Sequence, residues 1–234
     1  MLLRRKEEPK SESETQRIEA FSDGVFAIAI TLLILEIHLP HLTHADTGER
    51  LRHEILTLWP SYFAYIFSFI TVGIYWANHH YIFKIYKRTD HGFNLLNVFF
   101  LMCISFLPLP TAVLGEYVLE ENKRQTAVLF YNFGLLLPAL SWSLIWVYAS
   151  YKHRLIDSRL EPRFVRYLTG QYMLSNLVYL LSLAAAVWSA TLGLIIAVLQ
   201  TFLYLLPSKP PVYRSEEKAL PDEPGRLHRK GRQG

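Results

Sequence analysis

The sequence predicts an all-α, polytopic membrane protein with six transmembrane helices and both termini in the cytoplasm. Three observations carry that expectation. Hydrophobic residues make up 51% of the chain and aromatics 14%, concentrated between two polar ends. Several apolar runs reach about 20 residues, enough to cross roughly 30 Å of hydrocarbon. The basic residues fall almost wholly on alternate connections.

The mean hydropathy of +0.17 is modest because the polar ends dilute it. They divide the chain into a cytoplasmic N-terminal segment (1–16), a membrane domain (17–207) and a basic, Pro-rich tail (208–234) expected to be disordered. The apolar runs place spans at 18–39, 58–83, 93–117, 126–150, 164–188 and 190–206. Only a tight turn near Trp188-Ser189 separates the last two, so they form a hairpin. The first run is long, follows polar residues and lacks a small-residue cleavage site, so it reads as a span and not as a signal peptide.

Of the 24 Lys and Arg residues, only Arg50, Arg52, Lys123 and Arg124 fall on the second side of this topology. The others lie in the two tails, at the mouths of the first and fifth spans and in the connections after the second and fourth spans. That asymmetry points both termini to the cytoplasm and favours an even number of spans. It also accounts for the net charge of +4 through contact with an anionic bilayer surface, with no nucleic acid implied. The single cysteine, Cys103, sits in an apolar run, which excludes an intrachain disulfide.

The chemistry concentrates at the first span. Arg17, Phe21, Ser22 and Asp23 stand at its mouth, where charge is costly and is usually retained for function. Beyond them Ile28, Leu32 and Leu35 recur at helical spacing, with Thr31 beside them and Glu36 at the outer end. Packed around an axis, such helices give apolar rings, a hydroxyl layer and an acidic vestibule, all known elements of channels. By spacing alone the stripe equally suits a lipid-facing or core surface. Asp23 lies about 140° from Ile28, so it should face neighbouring helices. Trp76, Asn78, His79, His80, Asn94 and Asn97 are available to it as partners, because polar groups in hydrocarbon need internal ones.

The Arg17-x-x-x-Phe21-Ser22-Asp23 motif, its continuation Gly24 to Leu33, and Tyr75-Trp76-x-x-His79-His80-x-x-Phe83 resemble the signatures of the transmembrane protein 175 family. The resemblance implies an endolysosomal-type potassium channel with its pore lined by the first helix and no re-entrant loop. With one motif copy this chain is similar to the single-repeat prokaryotic type, a homotetramer in the plasma membrane. Carried over by position, Ile28 forms the constriction, Leu32 and Leu35 add apolar rings, and Thr31 is a pore-adjacent hydroxyl influencing selectivity. Glu36 belongs to the outer vestibule. Arg17, Phe21, Ser22, Asp23, Trp76, His79, His80, Asn94 and Asn97 correspond to a structural packing network. The permeant ion is K+, and neither a cofactor nor a bound metal is implied.

Other patterns carry less. Thr71-Val72-Gly73-Ile74-Tyr75 shares three letters with a potassium filter but sits within a helical apolar run. His38, His41 and His44 read as a solvated loop broken by Pro40. Pro108, Pro110 and Pro138 are expected to kink their helices. No catalytic arrangement appears, so an enzyme is not expected. The competing functions are a poorly selective or proton-conducting channel on the same scaffold and a secondary transporter. The near absence of mid-membrane charge argues against the transporter.

Overall fold

The computed structural model describes residues 10–39, 46–205 and 209–213. Its helices run in the order α1 (Lys10–Leu32), α2 (Gly48–Thr57), α3 (Trp59–Phe83) and α4 (His91–Phe106). They continue as α5 (Pro108–Tyr117), α6 (Glu121–Ser150), α7 (Pro162–Trp188) and α8 (Ala190–Tyr204). No named strand occurs among the described residues.

Two boundaries differ from the sequence reading. α1 starts at Lys10, ahead of the apolar run, because the intervening Glu, Gln and Arg are good helix formers. It tightens into a 3₁₀ turn at Leu33–Glu36 and leaves helical geometry at Ile37, before Pro40. The segment before the second span, read as loop, contains α2. The Thr47 side chain caps it by accepting from the Arg50 N–H, and Leu58 then bends the chain by 44° into α3.

The third span is broken at Leu107, where Pro108 removes a backbone donor; α6 continues through Pro138. By length and composition four segments can cross a bilayer: Glu14–Glu36, His91–Tyr117, Glu121–His153 and Pro162–Trp188. The bent pair α2 and α3 supplies a fifth. The sixth predicted span is a helix, but α8 has only 15 residues and rises about 22 Å, short of a full hydrocarbon core.

Aromatic packing joins the elements. His79 stacks on Phe83 at 4.1 Å between ring centroids, and Phe26, Phe100 and Trp142 surround it at 5.5 to 6.2 Å. α7 and α8 form the expected hairpin. Ser189 caps α8, and the Ser182 hydroxyl donates to the Gly193 carbonyl at 2.7 Å. Gly193 lets the helices close up, since a Cβ there would lie 2.8 Å from the Ala186 Cα.

The basic end is stitched together by its connections. The Lys87 N–H donates to the Leu155 carbonyl and the Asp157 N–H to the Ile85 carbonyl. Asp90 caps α4 and also accepts from Tyr148 and Arg154. Burial alone would push its carboxyl up, but the Phe93 N–H, the Tyr148 hydroxyl and the Arg154 guanidinium hold it below the ordinary carboxylate range. The forked hydrogen bonds from Arg159 do the same for buried Asp157, against the opposing effect of its burial. Residues 209–213, read from sequence as the start of a disordered tail, run beside Leu160 and Glu161. There the Glu161 N–H donates to the Val212 carbonyl, and the Tyr81 hydroxyl donates to that of Lys209. Residues 1–9 and 214–234, to which the rest of the terminal readings apply, lie outside the described residues.

Candidate functional site

α1 has two faces of opposite character. Ser22, Phe26, Ala29 and Leu33, spaced at i, i+4, i+7 and i+11, are buried against α3, α4 and α5. The other face is bare. Ile28 is 61% exposed, Leu32 40% and Leu35 69%, with Thr31 exposed between them. An uncovered apolar stripe of this length on an otherwise packed helix needs lipid or other protein against it.

The buried face is tied down by a directional chain of hydrogen bonds. Ser22 donates its hydroxyl to the Ile18 carbonyl at 2.8 Å and accepts from Asn97 Nδ2 at 2.9 Å. With its N–H committed there, Asn97 offers Oδ1 as an acceptor, and His79 Nε2 lies 3.2 Å away. His79 Nε2 is therefore the donor of this pair, and its Nδ1 has no partner. The residue is only 1% exposed, so the chain runs from α3 through α4 into α1 wholly inside the protomer.

Two further links lie closer to the surface. Trp76 Nε1 donates to Asp23 Oδ1 at 3.0 Å, and His80 Nδ1 lies 2.8 Å from Glu19 Oε1. Glu19, Ser22 and Asp23 thus clamp one face of α1 at i, i+3 and i+4. Glu19 was missed in the sequence reading, although its register with Ser22 was a usable signal.

Not every predicted network residue joins this chain. Arg17 and Phe21 are exposed and, with Asn94 and Asn97, line an open groove between α1 and α4. The Asn94 Oδ1 is buried without a partner. Asn78 bonds back to the Ile74 carbonyl. Glu36 is half-buried in a crevice with Ser61 and Gly115, off the bare stripe. Thr71 to Tyr75 lies inside α3, and the Thr71 hydroxyl donates to the Phe67 carbonyl, so its backbone cannot serve as a carbonyl filter. His38 is exposed, whereas His41 and His44 lie outside the described residues.

Comparison with known proteins places the arrangement. Residues 17–108 match the family model for the endosomal/lysosomal potassium channel TMEM175. A potassium channel of Chamaesiphon minutus is 40% identical over 186 residues, spanning 80% of this chain and 91% of that protein. The chain belongs to the TMEM175 family. A potassium channel of Streptomyces collinus is also 40% identical, over 78% of this chain and 87% of its own. The TMEM175 fold matches too. The crystal structure of a lysosomal potassium-selective channel TMEM175 homolog from Chamaesiphon minutus superposes with a TM-score of 0.73 at 37% identity, covering 83% of this chain and 97% of that one. Animal members are larger. The endosomal/lysosomal proton channel TMEM175 of Gallus gallus is 35% identical over 118 residues, only 24% of its length.

Proposed function

We propose that this chain forms a potassium-permeable cation channel, a homotetramer in a prokaryotic plasma membrane with α1 lining the pore. The chain crosses six times with both termini cytoplasmic, with α8 as a short sixth crossing, and the gathering of basic residues at one end of the bundle supports this. The observation that carries the reading is the division of α1. One face is locked to α3 and α4 by polar bonds, and the other offers a bare Ile28, Thr31, Leu32 and Leu35 stripe. The names of the bacterial relatives support potassium as the ion.

In this reading four Ile28 side chains form the narrowest ring, which strips part of the hydration shell and closes by dewetting. Thr31 then has a defined polarity. Its hydroxyl proton is committed to the Ala27 and Ile28 carbonyls at 3.0 and 2.9 Å, so the oxygen presents lone pairs to the axis. Such a layer favours a cation and offers an anion no donor. Glu36 adds negative charge near the outer mouth. Conduction needs no cofactor and no covalent chemistry.

The test is flux from the purified chain in liposomes under opposing potassium and sodium gradients. Larger potassium flux supports the proposal; equal flux refutes potassium preference. A second reading, proton conduction on the same scaffold, is favoured by the animal relatives named as proton channels. Reversal potentials in a proton gradient separate the two.

A further inference from the structure

A second compartment lies inside each protomer, away from α1. It is a cavity of about 40 Å³ between α3, α6, α7 and α8, with Trp142, Tyr75 and Tyr179 among its walls and Asn78, Ser143 and Asn176 among its polar groups. No Asp, Glu, Lys, Arg or His lines it. It offers hydroxyl and amide groups and no charged side chain.

Its chemistry is set by Asn176. The residue is 7% exposed, and its Nδ2 donates to Ser143 Oγ at 2.8 Å. Its Oδ1 is buried with no partner in the protein. An unmet amide oxygen at this depth is unfavourable and calls for a donor. If the amide were turned over, Ser143 would donate to the oxygen and the NH₂ would need an acceptor instead. A hydroxyl group satisfies both arrangements, because it both donates and accepts. The space holds about three water-sized groups, and aromatic rings form much of its wall.

We infer that this cavity is a binding site for small uncharged hydroxyl compounds, occupied by water at rest and by short-chain alcohols when these are present. The hydroxyl sits on the Asn176 amide and the alkyl part lies against Trp142. The site is a property of the protomer and stands whether or not the channel reading holds.

Crystals of the full chain, untreated and soaked in 2-bromoethanol, test it. Untreated crystals should show ordered water at the Asn176 amide; a dry cavity overturns the inference. Soaked crystals should give a bromine anomalous peak within the cavity, lost in Asn176→Leu. Bromine only at lipid-facing surfaces, or an unchanged peak in that variant, overturns it. Ala139→Leu, which narrows the cavity without touching the amide, is the second variant and should lose the same peak. In solution, ethanol should raise the wild-type melting temperature relative to Asn176→Leu by about 2–4 °C. Equal responses of the two proteins argue against a site.

Discussion

Asn97→Leu probes the chain that fixes α1. The substitution keeps the branched skeleton and leaves no cavity, although its two methyls are bulkier than the amide and add some overpacking to the cost. It removes two hydrogen bonds at once, to Ser22 at 2.9 Å and to His79 at 3.2 Å. The losses are unequal. Ser22 keeps its bond to the Ile18 carbonyl, whereas His79, whose Nδ1 already lacks a partner, is left with no polar contact on either nitrogen. A stranded buried donor costs about 1–3 kcal/mol, while interhelical bonds in membranes average about 0.6 kcal/mol. At 1% exposure His79 has no access to bulk water, so the stranding estimate governs and the expected loss is about 2 kcal/mol. For a chain of this size that lowers the melting temperature by roughly 4–8 °C. Tryptophan fluorescence of the protein in detergent reads the transition. Combining Asn97→Leu with Ser22→Ala closes a double-mutant cycle. Additive losses within about 0.5 kcal/mol would refute the relay, because linked residues must couple.

The remaining predictions address separate levels of the structure. Ile28→Asn should raise conductance or relax selectivity in planar bilayers, and unchanged permeability ratios would remove Ile28 from the mechanism. Thr31→Val keeps the shape and removes the lone pairs, so cation discrimination should fall while the melting temperature stays within about 1 °C; intact discrimination argues against an axial hydroxyl layer. Gly193→Val should destabilise by about 1–3 kcal/mol, because the new Cβ meets Ala186 and forces α7 from α8. The depressed carboxyls of Asp90 and Asp157 contribute stability above the unfolded carboxylate pKa of about 3.9. That stability drains away as pH falls through their lower folded values. Asp157→Asn should therefore flatten the acid limb of a stability–pH curve and leave neutral pH less stable than wild type.

Much of the site was legible because two periodicities overlap on α1. The apolar stripe and the polar positions are both written at helical spacing, and the 140° offset placed Asp23 toward its neighbours, where Trp76 meets it. The partner of each polar group was less legible. Six candidates were named, but which amide faces Ser22 depends on the rotation of α4, and sequence spacing on α1 carries no information about it. Arg17 and Phe21 were grouped with Ser22 from the motif, yet they turn to the open side. α2 was missed because ten residues with two Arg and two Glu give no apolar run, and its signal is the Thr47 cap. The cavity at Asn176 was invisible because its walls come from four helices and their alignment is a tertiary fact.

The distribution of polar bonds along α1 has a mechanical consequence. Among the described residues, Glu19, Ser22 and Asp23 bond α1 to neighbouring helices through their side chains, near the basic end. Beyond Asp23 the attachment is apolar, through Phe26, Ala29 and Leu33, and the Thr31 hydroxyl bonds only within its own helix. Directional bonds fix rotation about the helix axis, whereas apolar contacts tolerate small slides. The register of the bare stripe is therefore set from the basic end, several residues away from Ile28. Substitutions in the polar chain should change stability and, through rotation, displace Ile28, Thr31 and Leu32 together. Substitutions on the stripe should change conduction with little effect on the fold. A stripe variant that unfolds the protein as readily as Asn97→Leu would mean that the bare face is packed within the protomer and does not line a pore.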